Sequence, residues 1–480
     1  MPDPLRPDFW EIVRPTLAPA REAGRAYIAS GKFVERSDER KYTESNEGWP
    51  LVTGSRLFPK GAPRWRSLFS VKAGQFSKVL VDDVPELRDG MNAAVARAEQ
   101  DSTFAEGLDL TYAVMTDPER RTLFAQIEFL SVVGDILGRA EDLGLEDDES
   151  LFDLYQQIER GRFSSELTGD IVVPLVLTTF ETATPVQLLD SFWLEPLEEP
   201  IQRSRALDDN GAHAVSPMIA AAATHAIVQR DQTFPNTVWS DAYVAGANRV
   251  PFELDTVHRI LECIHIVTGK KTGYSQILVR SDSWVSWSGW IADLPHVWKA
   301  QSVKAYPDSF DRGWLRPKDP ISAGEVEEIV AVLPALLASP KNVRLASRRC
   351  FRSTFRDDIE DEILDATIGI EALLSQDRDE LTHRMSQRAA AALAGEFRAD
   401  AIYRILKQVY GQRSQIVHGT TLKNSKVKFG DVEFWTNHMG VFLLRNLLRN
   451  YLLSPTPWTP SSLDDVILTR LGHINDEGPV

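Results

Sequence analysis

The chain has 480 residues, a formal net charge of −16 and the 43% hydrophobic and 25% charged composition of an ordinary globular protein, so its length predicts two or three domains. Its two cysteines, Cys263 and Cys350, lie far apart in sequence, which excludes a disulfide framework and a four-thiolate zinc site. No apolar run approaches the roughly 20 residues that cross a bilayer, and the first residues lack the pattern of a signal peptide. We therefore expect a cytoplasmic protein that does not enter a membrane.

The first 320 or so residues predict a body of mixed α and β structure. Helical periodicity is expected over residues 10–22, 86–100, 122–144 and 150–162, with strand-like alternation within residues 67–83. The β-branched run of residues 170–180 predicts a buried strand, and further strands are predicted at 224–231 and 274–282. Between these last two, residues 251–269 have apolar residues at helical spacing from Pro251 to a glycine stop at Gly269. These elements fix the class of the body but not its topology.

The pattern changes after a proline-rich approach at Pro317, Pro320, Pro334 and Pro340, where we place a linker. Five helical segments follow, at about 343–355, 359–374, 380–394, 400–417 and 432–453, and no strand is predicted among them. Short connections between helices of this length indicate an antiparallel bundle. The expected fold is thus multidomain: a mixed α/β (α+β) N-terminal body over residues 1–335, in one or two subdomains, and an all-α helical bundle over 340–454. A C-terminal tail over 455–480 follows, and we expect it to be irregular at first.

The charge is unevenly distributed. From Lys341 to Asn450 there are 18 lysines and arginines against 14 acidic residues, a net +4 that leaves −20 for the rest of the chain. A modestly basic module on an acidic body suits a local binding site for a polyanion. Solvation of exposed helix faces explains the same counts equally well.

Two charged residues fall within predicted apolar stripes of the bundle. Glu371 lies on the buried face of the second helix, and Arg388 lies in line with the apolar residues of the third. An unpaired ion in a core costs several kcal/mol by order of magnitude, so Glu371 is expected to meet an arginine, either Arg388 or Arg413. A structural ion pair that sets the register of the bundle is the simpler interpretation of such a contact.

The fourth helix ends in a glycine stop directly after a histidine. His418 falls in its last turn, before Gly419, at a position that suits a left-handed C-cap. A histidine exchanges protons near neutral pH and so serves as a general base or acid. Arg413 lies about one and a half turns earlier, and the two side chains could converge on one phosphate from both sides of the helix or across a dimer.

With these helices in order, residues 365–395 and 402–419 resemble the HEPN domain, in particular its Apea-like branch. The diagnostic element is an arginine, four to six residues and a histidine, matched by Arg413 and His418 with a glycine following. Two further features match: Glu371 before a Leu-Leu pair, and the Leu-x-x-Arg-x-x-x-Arg spacing that ends in Arg384 and Arg388. The resemblance covers about 110 residues, under a quarter of the chain.

The resemblance implies a metal-independent endoribonuclease, because HEPN domains of this kind are mostly that, in toxin, antiviral and abortive-infection systems. It implies that Arg413 and His418 are catalytic, that Glu371 orients Arg413, and that no cofactor is needed. Since such domains usually work as dimers, it also implies a homodimer acting on RNA.

Three further residues are expected to contact the substrate: Arg384, Arg388 and Ser414. Ser414 follows the motif arginine, where Asn or Asp is more usual in the family. We expect the N-terminal body to sense a phage or cellular trigger, or to restrain a toxic nuclease. The alternative is a non-catalytic HEPN module that binds RNA or protein and uses Arg413 and His418 structurally.

Two other groups of residues suggest different functions, a metal site and a stacking surface. His258, Glu262 and His265 share one face of a predicted helix and could hold a divalent metal, as could the Glu380–His383 pair. Four tryptophans, at 284, 287, 290 and 298, could stack on bases or sugars, although such a cluster is more often part of a core.

Overall fold

A computed structural model describes residues 4–37, 41–53, 61–72, 78–108, 117–207, 215–236, 252, 254–285, 294–312, 315–375, 381–420 and 425–476. The chain combines helices and strands, with a helical C-terminal region. Within the described residues, no helix is both long and apolar enough to span a membrane.

The N-terminal part is mainly helical and has its own apolar core. Its elements are α1 (Pro7–Ala29), β1 (Lys41–Glu44), β2 (Pro50–Thr53), β3 (Phe69–Ser70), β4 (Val79–Leu80), α2 (Pro85–Gln100), α3 (Ser102–Leu108), α4 (Pro118–Leu143) and α5 (Asp148–Phe163). Phe9, Phe129 and Tyr155 meet at the centre of this core. The helices predicted at 86–100, 122–144 and 150–162 are confirmed, whereas the first helix is longer than predicted.

A six-stranded antiparallel sheet follows. Its elements, with the helices between them, are β5 (Glu166–Val176), β6 (Val186–Gln187), β7 (Phe192–Pro196), α6 (Glu199–Leu207), α7 (Pro217–Ala221), β8 (Ala223–Pro235), α8 (Asp255–Thr268), β9 (Tyr274–Ser281) and β10 (Val297–Ala305). The strand order is β10-β9-β5-β8-β7-β6, with every neighbouring pair antiparallel. The three strands predicted from sequence are confirmed as β5, β8 and β9, the adjacent strands in the middle of the sheet.

The C-terminal region contains the predicted bundle. Its elements are α9 (Ala323–Ala338), α10 (Lys341–Ser353), α11 (Ile359–Leu374), α12 (Leu381–Ala392), α13 (Ala399–Val417), β11 (Lys426–Phe429), β12 (Val432–Trp435), α14 (Thr436–Leu453) and α15 (Pro460–Asp476). The five predicted helices correspond to α10–α14. The expectation that no strand interrupts them is wrong, because β11 and β12 pair as a hairpin and delay the last helix to Thr436.

The stretch expected to be a linker is instead helix α9. Ser322 caps its start in a reciprocal capping box with Glu325, and Pro334 lies inside the helix. Its apolar face packs on α8 and α14, and one continuous core runs from the sheet through α8 into the bundle. Body and bundle therefore share apolar packing, and the predicted boundary near residues 335–340 falls at the joint between α9 and α10.

The tail also forms a helix. Residues 454–459 are irregular, as expected, but α15 then docks on α12 through the buried Leu463 and the ion pair described below. The bundle is thereby extended by one helix that the sequence did not predict.

Candidate functional site

Helix α13 carries the arginine-to-histidine motif. Its buried face, with Ile402, Leu406 and Val409, packs against α12 and α14, which fixes the direction of the helix. At its end, Gly419 N–H donates to Ile416 O and Thr420 N–H donates to Gln415 O, both at 3.0 Å. These two bonds form a Schellman motif.

Gly419 has φ 67° in that motif, which confirms the predicted left-handed cap. His418 directly precedes it as the C-cap residue, and its backbone N–H donates to Ser414 O at 3.1 Å. Because the backbone on both sides of His418 is hydrogen-bonded, the position of the residue is defined. The His418 side chain is exposed to solvent.

Glu371 and Arg413 come together at the edge of the bundle. Glu371 Oε1 lies 3.6 Å from Arg413 Nη2, and the side chains are 25% and 36% exposed. The expectation that Glu371 meets an arginine is confirmed, with Arg413 as the partner. The separation exceeds a normal hydrogen bond, so the two charges attract each other without locking the guanidinium in a bidentate pair.

The phenol of Tyr410 lies beside this pair, and sequence reasoning did not single it out. Its hydroxyl donates to Met385 Sδ at 3.3 Å. Burial raises the pKa of Tyr410 well above its usual value, and the Glu371 carboxylate raises it further. Tyr410 therefore stays neutral and forms the buried wall behind the ion pair.

The structure places Arg388 away from this pair. Its side chain is 3% exposed and binds Asp464 of α15, with Nε–Oδ1 at 2.8 Å and Nη2–Oδ2 at 2.6 Å. Its Nη1 donates to Leu374 O at 2.6 Å. Because its donors are directed to buried or docked protein groups, Arg388 links three helices, and we withdraw it from the predicted substrate contacts.

Arg384 and Ser414 are both exposed, on α12 and α13 respectively. Their side chains are accessible to a ligand in solution. Ser414 is next to Arg413 in sequence and faces solvent at the same end of α13 as His418. The exposed part of the site thus consists of Arg413, Ser414 and His418 on one helix, backed by Glu371 on another.

The unpredicted hairpin is anchored directly beside the motif. The amide of Gln412, the residue before Arg413, donates to Ser425 Oγ, and that of Gln408 donates to Lys426 O at 3.2 Å. Ser425 Oγ in turn lies 2.9 Å from Thr436 Oγ1. These contacts fix the base of the hairpin against α13.

The hairpin also displays apolar and basic side chains. Val432, Phe434 and Trp435 are 55%, 38% and 39% exposed, and Lys426 Nζ lies 4.9 Å from the centre of the Trp435 ring. Its turn contains Gly430 with φ 63°, followed by an aspartate. A Gly-Asp pair between two short alternating runs was the available sequence signal, and the lysine-rich composition concealed it.

The proposed metal cluster on α8 is not present as a site. His258 Nε2 lies 3.0 Å from Tyr274 OH, and His265 Nδ1 lies 3.0 Å from Lys270 O. Glu262 instead accepts hydrogen bonds from an arginine and a serine. Across the part of the chain that the structure describes, no three His, Cys, Asp or Glu side chains are grouped to hold a metal. Glu380 lies outside the described residues.

Of the four tryptophans proposed as a stacking platform, the two that the structure describes belong to an apolar core. Trp284 and Trp298 are 2% and 8% exposed in a small cluster with Leu167, Phe234 and Val279. The stacking-platform interpretation is wrong for these two residues. Trp287 and Trp290 lie outside the described residues.

Comparisons with protein-family models, with curated proteins and with solved structures found no match to this chain. The likeness to HEPN domains therefore depends on the motif residues and helix order given above.

Proposed function

We propose that the C-terminal bundle is a HEPN domain of the Apea-like type and that it cleaves RNA without a metal ion. The observation that carries this proposal is the half-buried contact between Glu371 of α11 and Arg413 of α13, the helix that ends at an exposed, backbone-fixed His418.

Arg413 is suited to stabilise a phosphorane. Among the described residues its guanidinium forms an ion pair with Glu371 alone, and its side chain remains 36% exposed, so other donors are available to bind two phosphate oxygens as a fork. The attraction of Glu371 restricts the orientation of that fork before the substrate arrives. Glu371 is thus a positioning residue, and Arg413 supplies the positive charge that a metal supplies in other nucleases.

His418 is suited to begin the reaction. As a neutral imidazole it accepts the proton of a ribose 2′-hydroxyl, and the 2′-oxygen then attacks the adjacent phosphorus. The bond from phosphorus to the 5′-oxygen breaks, which leaves a 2′,3′-cyclic phosphate and a 5′-alkoxide that must gain a proton. DNA lacks the attacking hydroxyl and should remain intact.

The motif supplies one histidine per chain, and one histidine cannot readily act as both base and acid. We therefore propose a homodimer in which the His418 of one copy is the base and that of the other copy is the acid. Exposed apolar side chains lie at the end of α13, where Val417 is 57% exposed, and on the hairpin, where Phe434 and Trp435 are 38% and 39% exposed. Such side chains are typical of a surface that association buries.

We further propose that the body senses a trigger, as a nuclease that harms its own cell would require in antiviral or abortive-infection defence. This body cannot be removed cleanly, because α8 packs on α9, α10 and α14 and a bundle alone would expose those faces. Its role must therefore be tested in the full chain.

The test is cleavage of a labelled RNA by the purified full-length protein in EDTA. His418→Ala and Arg413→Ala should each lower the rate at least 100-fold, the usual scale for losing a general base or an oxyanion-stabilising group. Gln415→Ala, at an exposed position in the same helical turn, is the matched control and should leave the rate unchanged.

The products should carry 2′,3′-cyclic phosphates, and a single 2′-deoxy substitution at the cut site should block cleavage. Cleavage that survives His418→Ala, or that requires a metal, would contradict the mechanism. Binding of RNA without cleavage would identify the non-catalytic module instead.

A further inference from the structure

A cleft lies between the body and the bundle, apart from the residues of the Arg413–His418 motif. It encloses about 640 Å³ between α8 and β9 on one side and α10 with the turn after it on the other. This volume is within the range of pockets that bind small molecules. Its floor includes Glu262, Tyr274 and Phe351, which are 2%, 4% and 8% exposed.

The lining is strongly basic. Four arginines contribute to it, Arg259, Arg348, Arg352 and Arg356, against the two carboxylates of Asp255 and Glu262. In a chain whose net charge is −16, this concentration of guanidinium groups in one concave site is unusual.

Two of these arginines are already satisfied. Arg259 Nη1 donates to both oxygens of Glu262 at 2.7 Å, and Arg356 binds Asp365 at 2.8 Å and Asp361 at 3.2 Å. Burial raises the pKa of Glu262, while Ser347 and Arg259 act in the opposite direction by hydrogen-bonding its carboxylate. These groups form the structural base of the cleft.

The other two arginines are available to a ligand. Arg348 and Arg352 lie at i and i+4 on α10, so their side chains project from one face of the helix. Both are exposed, and neither side chain forms a hydrogen bond or ion pair with any residue in the described ranges. Paired guanidinium groups at the mouth of a concave site are the recognised means of holding phosphate oxygens.

Aromatic side chains supply the apolar part of the lining. Phe355 is half-buried and meets Phe351 edge to face, with ring centres 5.2 Å apart. On the opposite wall, the rings of His258 and Tyr274 lie nearly parallel with their centres 6.1 Å apart. A planar base can pack between such surfaces.

We propose that this cleft binds a nucleotide, with Arg348 and Arg352 holding its phosphate groups and the rings around Phe355 packing against its base. A small ligand suits the site, because its volume is that of a small-molecule pocket and its floor is buried. None of its lining residues belongs to the Glu371–Arg413 pair, so this is a second site that goes beyond the proposed nuclease.

The test is calorimetric titration of the full-length protein with ATP, AMP and inorganic pyrophosphate. Arg348→Ala and Arg352→Ala should each weaken ATP binding at least tenfold. Arg344→Ala, which removes the same charge one turn earlier on α10 and outside the cleft, should change it less than twofold. Phe355→Leu should weaken ATP and AMP while leaving pyrophosphate unchanged.

His418→Ala should bind ATP normally, so failure of the nuclease proposal and failure of this one are distinguishable. No binding of ATP at millimolar concentration, or equal losses in the Arg344 control, would overturn the site. Pyrophosphate binding as tight as that of ATP, with no effect of Phe355→Leu, would overturn its nucleoside part. RNA binding to the His418→Ala variant that Arg348→Ala and Arg352→Ala weaken, with no binding of ATP, would assign the cleft to RNA.

Discussion

Asp464→Ala should weaken the docking of α15 on the bundle. The Asp464 carboxylate binds Arg388, whose side chain is only 3% exposed and whose remaining acceptor is the carbonyl of Leu374. Without the carboxylate, the guanidinium is a buried charge with one neutral partner. Removing one member of a buried pair costs about 3–5 kcal/mol, and since Asp464 itself is 31% exposed we expect the lower end, about 3 kcal/mol.

Amide hydrogen exchange measures this cost locally, which suits a chain of 480 residues whose global unfolding is not a single transition. If α15 opens without the rest of the bundle, about 3 kcal/mol corresponds to exchange roughly 150-fold faster over Pro460–Asp476. Amides in α14 should be unaffected. Asp465→Ala is the control, since this neighbouring carboxylate is exposed on the same helix.

The comparison with Arg388→Met tests the physical reason. This variant removes the charge and keeps an apolar side chain of similar length, and it leaves behind a carboxylate that water can reach. It should therefore accelerate exchange in α15 less than Asp464→Ala does. Equal acceleration by Asp464→Ala and Asp465→Ala, or a larger effect of Arg388→Met, would refute the argument that a buried unpaired guanidinium dominates the cost.

Gly369→Ala should lower the melting temperature, because an added Cβ would lie 2.4 Å from Leu444 Cδ2, whereas Gly411→Ala, with nothing within 4 Å, should raise stability by about 0.5–1 kcal/mol. Thermal denaturation gives both signs, and a stabilising Gly369→Ala would contradict the close packing of α11 on α14. Burial lowers the pKa of His265 and His296 to about 4. Between pH 6.5 and pH 4 these two histidines are therefore protonated in the unfolded chain but neutral in the folded protein. Stability should fall as the pH drops through that window, by at most about 1.4 kcal/mol per pH unit for each histidine. His265→Gln should reduce the slope of melting temperature against pH, and an unchanged slope would show that His265 does not contribute.

The strands that the sequence predicted are those whose surroundings are set by burial on both faces. β5 lies between β8 and β9 and is buried along most of its length, so its sequence is a continuous apolar run that predicts a buried strand. The outer strands β6 and β10 carry polar residues and were not predicted, because an edge strand needs only one apolar face.

Helix α9 shows how a single proline can mislead a prediction made from sequence. Pro334 indicated a break, yet Val326, Ile329, Leu333 and Leu336 repeat at helical spacing and are buried against α8 and α14. The packing of this apolar stripe compensates for the hydrogen bond that a proline inside a helix lacks. The sequence contained both signals, and only the tertiary contact decides between them.

The site was predictable where it depends on one helix and unpredictable where it depends on distant chain segments. The cap at Gly419 follows from local sequence, and helical spacing indicated that Glu371 would need an arginine. The choice of Arg413 over Arg388 depends on Asp464, 76 residues beyond Arg388, on a helix of the tail that the sequence did not predict. Likewise, nothing in the spacing of Tyr410 showed that its ring would stand behind the pair.

The described contacts also constrain how the body could influence cleavage. His418 and Ser414 are exposed, so the body does not cover the motif in this conformation. The physical connection runs instead through packed helices: α8 contacts α10, and Arg349 of α10 binds Asp365 of α11 at 2.6 Å, on the helix that carries Glu371. Because the contact between Glu371 and Arg413 is a loose 3.6 Å, a small shift of α11 would change the orientation of Arg413 more than it would in a bidentate pair. Control through α11 and through α10, which also lines the proposed nucleotide cleft, is therefore the arrangement that this architecture favours.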